Sequence, residues 1–252
     1  MAQNKKKYET LAFCLGILLV GILIQAAGWL KGDRLVFPDI GEILAAFVRL
    51  LGTGKVWRQI GTTLLHLAEA LLVSSVTGTV LGLVQGRSPF VRTLLRPLMI
   101  LLRSIPMIVM TVIIMVLTRY EQVPLIATSL MLIPLISEAT CEGFLRIEPE
   151  LVDVYRMNSG FTLRVLLQVY LPLMAGYLKQ AYVNAVGMGI KLAVTTEYLV
   201  QARDSLGKAV YSSSYFNNYE EVYAYALIMI LLAVLVSELP KWIGKATLNS
   251  HP

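Results

Sequence analysis

The chain has 252 residues, of which 56% are hydrophobic and 15% are charged, and its mean hydropathy is +0.68. Soluble domains carry about 25% charged residues, so this composition excludes an ordinary soluble protein. Together with repeated apolar runs of about 20 residues, it indicates a protein that crosses a membrane several times. The formal net charge of +6 does not indicate nucleic-acid binding, because the basic residues are scattered at the ends of apolar runs.

Six apolar segments are predicted to cross the membrane as helices. The first, at about 10–30, follows a basic N-terminus and is long enough to span a bilayer, so we expect an uncleaved span rather than a signal peptide. After it, Pro38 and Asp39 are suited to start a short outer helix. The remaining spans are predicted at about 61–84, 94–118, 123–142, 173–199 and 222–240.

The distribution of lysine and arginine predicts the orientation. Lys5, Lys6 and Lys7 directly precede the first span, and basic residues are enriched in cytoplasmic loops. Six spans place both termini on the same side, so both are expected in the cytoplasm, together with the polar segment 148–172. We expect a single membrane domain over residues 1–252, with its core at about 58–242.

The second span contains a ladder of small residues, each four positions after the last: Ala70, Ser74, Gly78, Gly82 and Gly86. Steps of four stay on one face of a helix. Small side chains on one face let another helix approach closely in a membrane. The ladder therefore predicts close helix packing and a compact bundle.

Several ionisable side chains lie inside the predicted spans. His66, Glu138 and Lys179 are near span ends, where we expect them to reach the interface. Lys191 is near the middle of its span and Arg103 lies well inside the third, and a charge at the bilayer centre costs about 2.5–3.5 kcal/mol. Lys191 and Arg103 are therefore expected to serve a solute pathway or a structural ion pair.

Two further features complete the candidate pathway or gate. Glu197 lies six positions after Lys191, so the two side chains do not face each other on one helix. Pro106 falls inside the third span, where proline removes a backbone hydrogen bond and bends a helix. The candidates are Arg103, Pro106, Met107, Lys191 and Glu197.

The usual catalytic signals are missing from the sequence. There are two histidines, His66 and His251, and two distant cysteines, so no metal site or disulfide is expected. The stretch GTGKVW lacks the first glycine and the final Ser or Thr of a phosphate-binding loop. We therefore expect no catalytic residue, no bound nucleotide and no cofactor in this chain itself.

The polar segment 148–172 reads EPELVDVYRMNSGFTLRVLLQVYLP. Pro149 suits the first turn of a helix, Gly160 can end it, and Thr162 can cap a second one. Two short helices joined by a turn are predicted at the cytoplasmic surface. A solvated loop with helical character is the alternative.

This segment resembles the coupling motif of ABC importer permeases, which is Glu-Ala-Ala, three residues, Gly, nine residues, Ile, one residue and Leu-Pro. In the same register the chain reads DVY at 153–155, serine at 159, valine at 169 and Leu-Pro at 171–172. The spacing agrees, whereas the first residues differ and a glycine follows the serine. The resemblance implies that the residues coupled to an ATPase are Glu150, Asp153, Val154, Tyr155, Ser159, Gly160, Leu171 and Pro172.

Other stretches resemble the nitrate/taurine/sulfonate branch of these permeases. They include FPDIGEILAAFVRLL, the Arg-Pro and Arg-Ser-Ile-Pro of the third span, and GIKLAVTTEYL, in which Lys191 and Glu197 take the branch's basic and acidic places. The stretch DSLGKAV resembles the short Gly-Leu-Gly turn that follows. The resemblance covers roughly residues 36–242.

The resemblance implies an all-α type I importer fold with about six transmembrane helices, in the inner membrane of a bacterium. It also implies a second copy of the chain, a separate ATPase that binds ATP and Mg, and an extracytoplasmic substrate-binding protein. The implied function is import of a small solute by alternating access: a sulfonate, taurine, nitrate or a vitamin precursor. A membrane scaffold or sensor that kept this fold without transport, an ion channel and an intramembrane enzyme are the alternatives.

Overall fold

The computed structural model describes residues 36–147 and 162–248, with side chains up to residue 236 except that of Leu163. All regular structure in these residues is helical. The helices are α1 (Ile40–Leu51), α2 (Gly54–Arg87), α3 (Pro89–Ser104), α4 (Met107–Leu117), α5 (Val123–Leu145), α6 (Leu163–Val165), α7 (Leu171–Val200), α8 (Leu206–Tyr215) and α9 (Tyr219–Leu248). A 3-10 turn at Tyr120–Gln122 precedes α5, and a π-helical turn at Leu166–Tyr170 joins α6 to α7.

The described residues form two compact units, the smaller of which comprises 36–57 and 209–230. In this unit α1 begins after Asp39, as predicted, and the backbone N–H of Asp39 donates to Glu42 Oε2 at 3.0 Å. The guanidinium of Arg49 lies 3.2 Å from the carboxylate of Glu221 at the start of α9. Ser213 donates to the other oxygen of Glu221 at 3.0 Å. One carboxylate thus joins α1, α8 and α9 within the unit.

In the larger unit, the small-residue face of α2 packs against α5. A Cβ atom built on Gly78 would lie 2.9 Å from the Cβ of Ile136, and one on Gly82 would lie 2.5 Å from the carbonyl oxygen of Ser137. A Cβ on Gly86 would lie 2.8 Å from the ring of Phe144. Ser74 is fully buried on the same face. Glycine is therefore required wherever the two helix backbones approach most closely.

α5 also packs against α7, and this contact holds the centre of the larger unit. Leu132, Ile136 and Ala185 form a fully buried cluster between the two helices. On α7, a Cβ on Gly189 would lie 2.7 Å from a methyl group of Leu67 on α2. Three helices therefore meet at Gly189, and one broad face of α7 is buried by α2 and α5.

The predicted third span, 94–118, is not one helix. α3 ends at Ser104, α4 begins at Met107, and their axes differ by 104°. Pro106 has no N–H to continue the helical ladder, and Ile105 before it takes an extended conformation (φ −68°, ψ 125°), as residues before proline prefer. The expected kink is therefore present, but as a complete break between two helices.

A second proline, Pro172, is accommodated differently at the start of α7. Pro172 follows the π-helical turn, in which the backbone N–H of Leu171 donates to the carbonyl of Leu166, five residues back. The wider turn admits a proline, whose ring would clash with the carbonyl four residues earlier in a regular α-helix. Thr162 Oγ1 accepts from the backbone N–H of Val165 at 3.4 Å, so the predicted cap is formed.

Three described segments are long and apolar enough to cross a membrane: Gly54–Arg87, Tyr120–Leu145 and Tyr219–Val236. The bent pair α3 and α4 makes a fourth if it counts as one span. α7 has 30 residues, enough to cross, but carries more polar side chains. The predicted first span, 10–30, lies outside the described residues, so the described part of the chain does not establish six spans.

Candidate functional site

A narrow exposed strip runs along α7. Within 181–200 the exposed residues are Asn184, Met188, Lys191 and Thr195, and the other sixteen are buried or half-buried. The spacing of four, three and four positions keeps these side chains on one face of the helix. We call this set the α7 strip. Ala185, Gly189 and Ala193, which are buried by contacts with α2 and α5, lie on a different face of the helix.

The chemistry of the α7 strip is unusual for a helix in a membrane protein. A helix face that meets lipid is expected to be apolar, because uncompensated polar groups are costly in hydrocarbon. The strip instead presents an amide, a thioether, an ammonium and a hydroxyl group. By contrast, the exposed residues of α2 between 72 and 84 are all apolar, as expected for a lipid-facing surface: Leu72, Val73, Val76, Val80 and Val84. The α7 strip therefore faces water or another protein chain.

The same face of α7 continues into a groove of about 490 Å³ between α7 and α5. Tyr177, Gln180 and Asn184 line it from α7, and Glu142 lines it from α5. Gln180 Nε2 donates to Asn184 Oδ1 at 3.2 Å, one turn further along. Polar side chains thus follow one face of α7 over most of its length.

A second polar site is buried at the far end of α7. The side chain of Glu197 is completely buried, and both of its carboxylate oxygens have partners. Oε1 lies 2.8 Å from Nδ1 of His66, and Oε2 accepts from Thr63 Oγ1 at 2.8 Å. Oε2 also accepts from the backbone N–H of Gly207 at 3.2 Å. We call this set, with Leu206, the Glu197 cluster.

The Glu197 cluster fixes the start of α8. Thr63 Oγ1, while donating to Glu197, accepts from the backbone N–H of Leu206 at 3.0 Å. The first N–H groups of a helix have no partner within the helix, and a negative charge is stabilised there. Thr63 and Glu197 therefore cap α8 through side chains that come from α2 and α7. A buried carboxylate with donors on both oxygens serves to hold the fold.

Glu197 and Lys191 therefore lie in different environments, as their spacing predicts. Glu197 is buried among donors, whereas Lys191 is exposed on the α7 strip. The expectation that His66 reaches the membrane interface is wrong, because its ring is 18% exposed and faces Glu197. The buried carboxylate of Glu197 thus holds the ring of His66 in place.

Arg103 on α3 also has a partner. Arg103 Nη1 hydrogen-bonds Glu138 Oε2 on α5, so Glu138 does not simply reach for the interface as expected. The pair borders a cavity of about 760 Å³ between α3 and α5. Arg92 and Arg96 line the same cavity from α3, one and two turns from its start. The cavity wall is thus rich in guanidinium groups and partly neutralised by glutamate.

A family described as "Binding-protein-dependent transport system inner membrane component" matches residues 78–247, about two thirds of the chain. The chain belongs to this permease family. Its members are the membrane subunits of ABC importers, and the ATPase is a separate subunit. A comparison with curated proteins gave no match.

Solved structures show that the permease has the type I importer fold. It is similar to a chain of the MetNI methionine ABC transporter in inward-facing conformations, with TM-score 0.63 and 17% identity over 81% of this chain and 96% of that one. It is also similar to a chain of a bacterial ABC transporter involved in the import of the acidic polysaccharide alginate, with TM-score 0.66 and 13% identity over 96% of both chains. At these identities the likeness establishes the fold alone.

The predicted coupling residues of the permease are only partly described. Glu150, Asp153, Val154, Tyr155, Ser159 and Gly160 lie outside the described residues. Leu171 and Pro172 are described, and they form the first turn of α7 directly after the π-helical turn. From Leu163 onward the chain is continuous helix into α7.

Sequence reasoning missed several residues of both sites. Thr63 was not singled out, because nothing local relates it to Glu197, 134 positions away. Gln180, Asn184 and Thr195 were also missed, although their signal is in the sequence. Along the predicted fifth span, Gln180, Asn184, Lys191 and Thr195 follow one another at steps of four, seven and four positions, which indicates a polar helix face.

Proposed function

We propose that the α7 strip lines the solute pathway of this importer permease, and that the solute is a small anion such as a sulfonate or nitrate. The observation that carries the proposal is that the exposed residues of α7 between 181 and 200 are nearly all polar. The rest of α7 in this stretch is buried or half-buried, and a helix within a membrane can expose an amide, an ammonium and a hydroxyl only to a wet surface.

The proposed pathway agrees with the groove at the other end of the strip. Gln180 and Asn184 continue the polar face into the cavity beside Glu142. Polar groups therefore line one side of α7 across the depth of a bilayer, about 30 Å of hydrocarbon or 20 helical residues. In alternating access, the strip is exposed to the outside and to the cytoplasm in turn.

The proposed solute class rests on the resemblance to the nitrate/taurine/sulfonate branch and on the basic side chain in the strip. Lys191 occupies the branch's basic position and carries a positive charge at the middle of the proposed pathway. Methionine and alginate are carried by proteins that share this fold at 17% and 13% identity, so they do not indicate the solute of this chain.

We further propose that residues 148–161 contact the ATPase subunit and that a second copy of the chain completes the pathway. Support comes from the spacing of the coupling motif and from the unbroken helix that leads from Leu163 into α7. The N- and C-termini are proposed to lie in the cytoplasm of a bacterium, with the permease in its inner membrane. An extracytoplasmic binding protein delivers the solute.

The proposal is tested by reconstituting the permease in proteoliposomes with its proposed ATPase and binding protein. Uptake is compared, with and without ATP supplied to the ATPase, for four labelled solutes: ethanesulfonate, taurine, nitrate and methionine. We expect ATP-dependent accumulation of a sulfonate or nitrate and none of methionine. Accumulation of methionine would overturn the proposed solute class. ATPase binding without accumulation of any solute would favour the non-transporting scaffold.

A further inference from the structure

Lys191 is a cation without a counter-ion in the described part of the chain. It lies more than two turns from either end of α7 and is exposed at the centre of the α7 strip. Among the described residues its ammonium group forms no ion pair, and the salt bridges there involve Arg49, His66 and Arg103. A charge at this depth is retained only where it meets water, an opposite charge or a ligand.

None of the acidic residues described in the larger unit forms an ion pair with Lys191, including Glu69, which is exposed on α2. Glu197, on the same helix, is six positions away and has both oxygens bound by other groups. Glu138 is bound to Arg103. Glu142 lines the groove at the level of Tyr177 and Gln180, about three turns or more from Lys191 along α7.

We infer that Lys191 is an anion-binding position in the pathway, and that it holds the sulfonate or similar anionic group of the solute during passage. The inference rests on the proposed function, because it takes the α7 strip as the pathway wall. An ammonium on a flexible stem offers three donors as a point charge and can follow a moving anion. The flexible ammonium of Lys191 differs in this respect from the donors of the Glu197 cluster, which hold the carboxylate of Glu197 in a fixed position.

The neighbours of Lys191 on the strip suit this role. Thr195 Oγ1 donates to the backbone carbonyl of Lys191 at 2.7 Å, so its O–H is bound within the helix and Lys191 is left as the charged donor of this turn. Met188, one turn before, is apolar and adaptable. At Asn184, Oδ1 accepts from Gln180, so the amide Nδ2 can donate into the groove. An anion leaving Lys191 therefore meets a neutral donor two turns along.

The experiment measures the local potential with two thiol reagents of opposite charge. Thr195→Cys is made in a permease whose Cys14 and Cys141 are replaced by alanine, and the protein is placed in lipid nanodiscs, which are open on both sides. The rate of reaction is measured for the anionic sulfonatoethyl methanethiosulfonate and for its cationic trimethylammonioethyl analogue. We expect the ratio of anionic to cationic rates to fall about fivefold to tenfold when Lys191→Gln is added. Lys191→Arg keeps the charge and should keep the ratio.

Two matched positions serve as controls. Gln180→Cys lies on the same face of α7, about 16 Å from Lys191 along the helix axis and beyond a Debye length of about 10 Å. The ratio of anionic to cationic rates at Gln180→Cys should change little when Lys191→Gln is added. Val76→Cys on α2 is exposed among apolar residues and should react slowly with both reagents.

The outcomes separate the two proposals. If Thr195→Cys and Gln180→Cys react with neither reagent, the strip is not a water-filled pathway, and the proposed function is overturned with the inference. If both react but Lys191→Gln leaves the ratio at residue 195 unchanged, the pathway stands and the anion site is overturned. Each cysteine variant is first checked for a single symmetric peak in size-exclusion chromatography, so that only folded protein is compared.

Discussion

Nδ1 of His66 lies 2.8 Å from Oε1 of Glu197, and this contact joins two helices whose residues are 131 positions apart in the chain. With Thr63 on the other oxygen, it fixes α2, α7 and the first turn of α8 to one carboxylate. The Glu197 cluster therefore fixes the C-terminal end of α7, the helix whose exposed strip we assign to the pathway. Stability and transport should consequently depend on different residues of α7.

Glu197→Ala should destabilise the permease by about 3 kcal/mol, because it leaves the buried Thr63 hydroxyl and Gly207 N–H without an acceptor. Thermal unfolding in detergent, followed by loss of the monodisperse peak, measures the effect. Glu197→Gln keeps one acceptor and should lose less. Lys191→Gln, on the same helix, is the control and should leave the midpoint unchanged. Equal midpoints for Glu197→Ala and the parent protein would contradict the structural role.

Gly207→Ala should also destabilise the fold. A Cβ there would lie 2.5 Å from the backbone nitrogen of Tyr198 and from the Cβ of Glu197, and backbone atoms cannot move aside. Overpacking of this kind costs about 1–3 kcal/mol. Gly176→Ala is the matched control, since nothing lies within 4 Å of its added Cβ and alanine favours the helix. Thermal midpoints should fall for the first variant and not for the second.

The contact of α2 with α5 allows a similar comparison within one helix. In Gly82→Ala the new Cβ would lie 2.5 Å from the Ser137 carbonyl oxygen, whereas Gly61→Ala on the same helix meets nothing within 4 Å. We expect Gly82→Ala to lower the yield of folded protein and its thermal midpoint. Gly61→Ala should match the parent. If the two variants behave alike, the close approach of the helices at Gly82 is not required.

Neutralising Glu138 should have little effect on stability. Its ion pair with Arg103 is more than half exposed, with relative exposures of 53% and 57%. Exposed pairs contribute about 0–1 kcal/mol. Glu138→Gln should therefore shift the thermal midpoint far less than Glu197→Ala, when the two are measured side by side. A shift as large as that of Glu197→Ala would show that the Arg103 pair is buried in the assembled transporter.

The coupling motif gives a prediction for residues outside the described part of the chain. Asp153→Arg and Gly160→Val should abolish solute-dependent ATP hydrolysis in the reconstituted transporter, because they reverse a charge and replace the glycine of the segment proposed to contact the ATPase. Membrane insertion, measured by the amount of protein in the membrane fraction, should be unaffected. Unchanged uptake in both variants would count against the coupling role.

Local patterns predicted much of the fold. The ladder from Ala70 to Gly86 indicated a packed face because a period of four is a property of a single helix. Pro106 indicated a bend because proline itself cannot continue the ladder of hydrogen bonds. The size of that bend, 104°, was not predictable, because it depends on what α3 and α4 pack against.

The pairing of buried polar groups could not be predicted from local patterns. His66 and Glu138 are polar residues near the ends of predicted spans, where polar side chains commonly extend to the membrane interface. Each instead contacts a residue far away in sequence. Only the folded arrangement decides which carboxylate lies next to which donor. Lys191 was identified because a lone charge in the middle of an apolar run is costly wherever the helix lies.

From Leu163 to Val200 the backbone is helical without a break, and the wide turn at Leu166–Tyr170 adds the room that Pro172 needs. A helix advances by about 100° per residue. Removing one residue from this turn would therefore rotate Lys191 and its neighbours by about a quarter of a circle relative to residues 163–165. The wide turn thus sets the angular phase between the segment proposed to receive a push from the ATPase and the polar strip that this push must turn towards the solute.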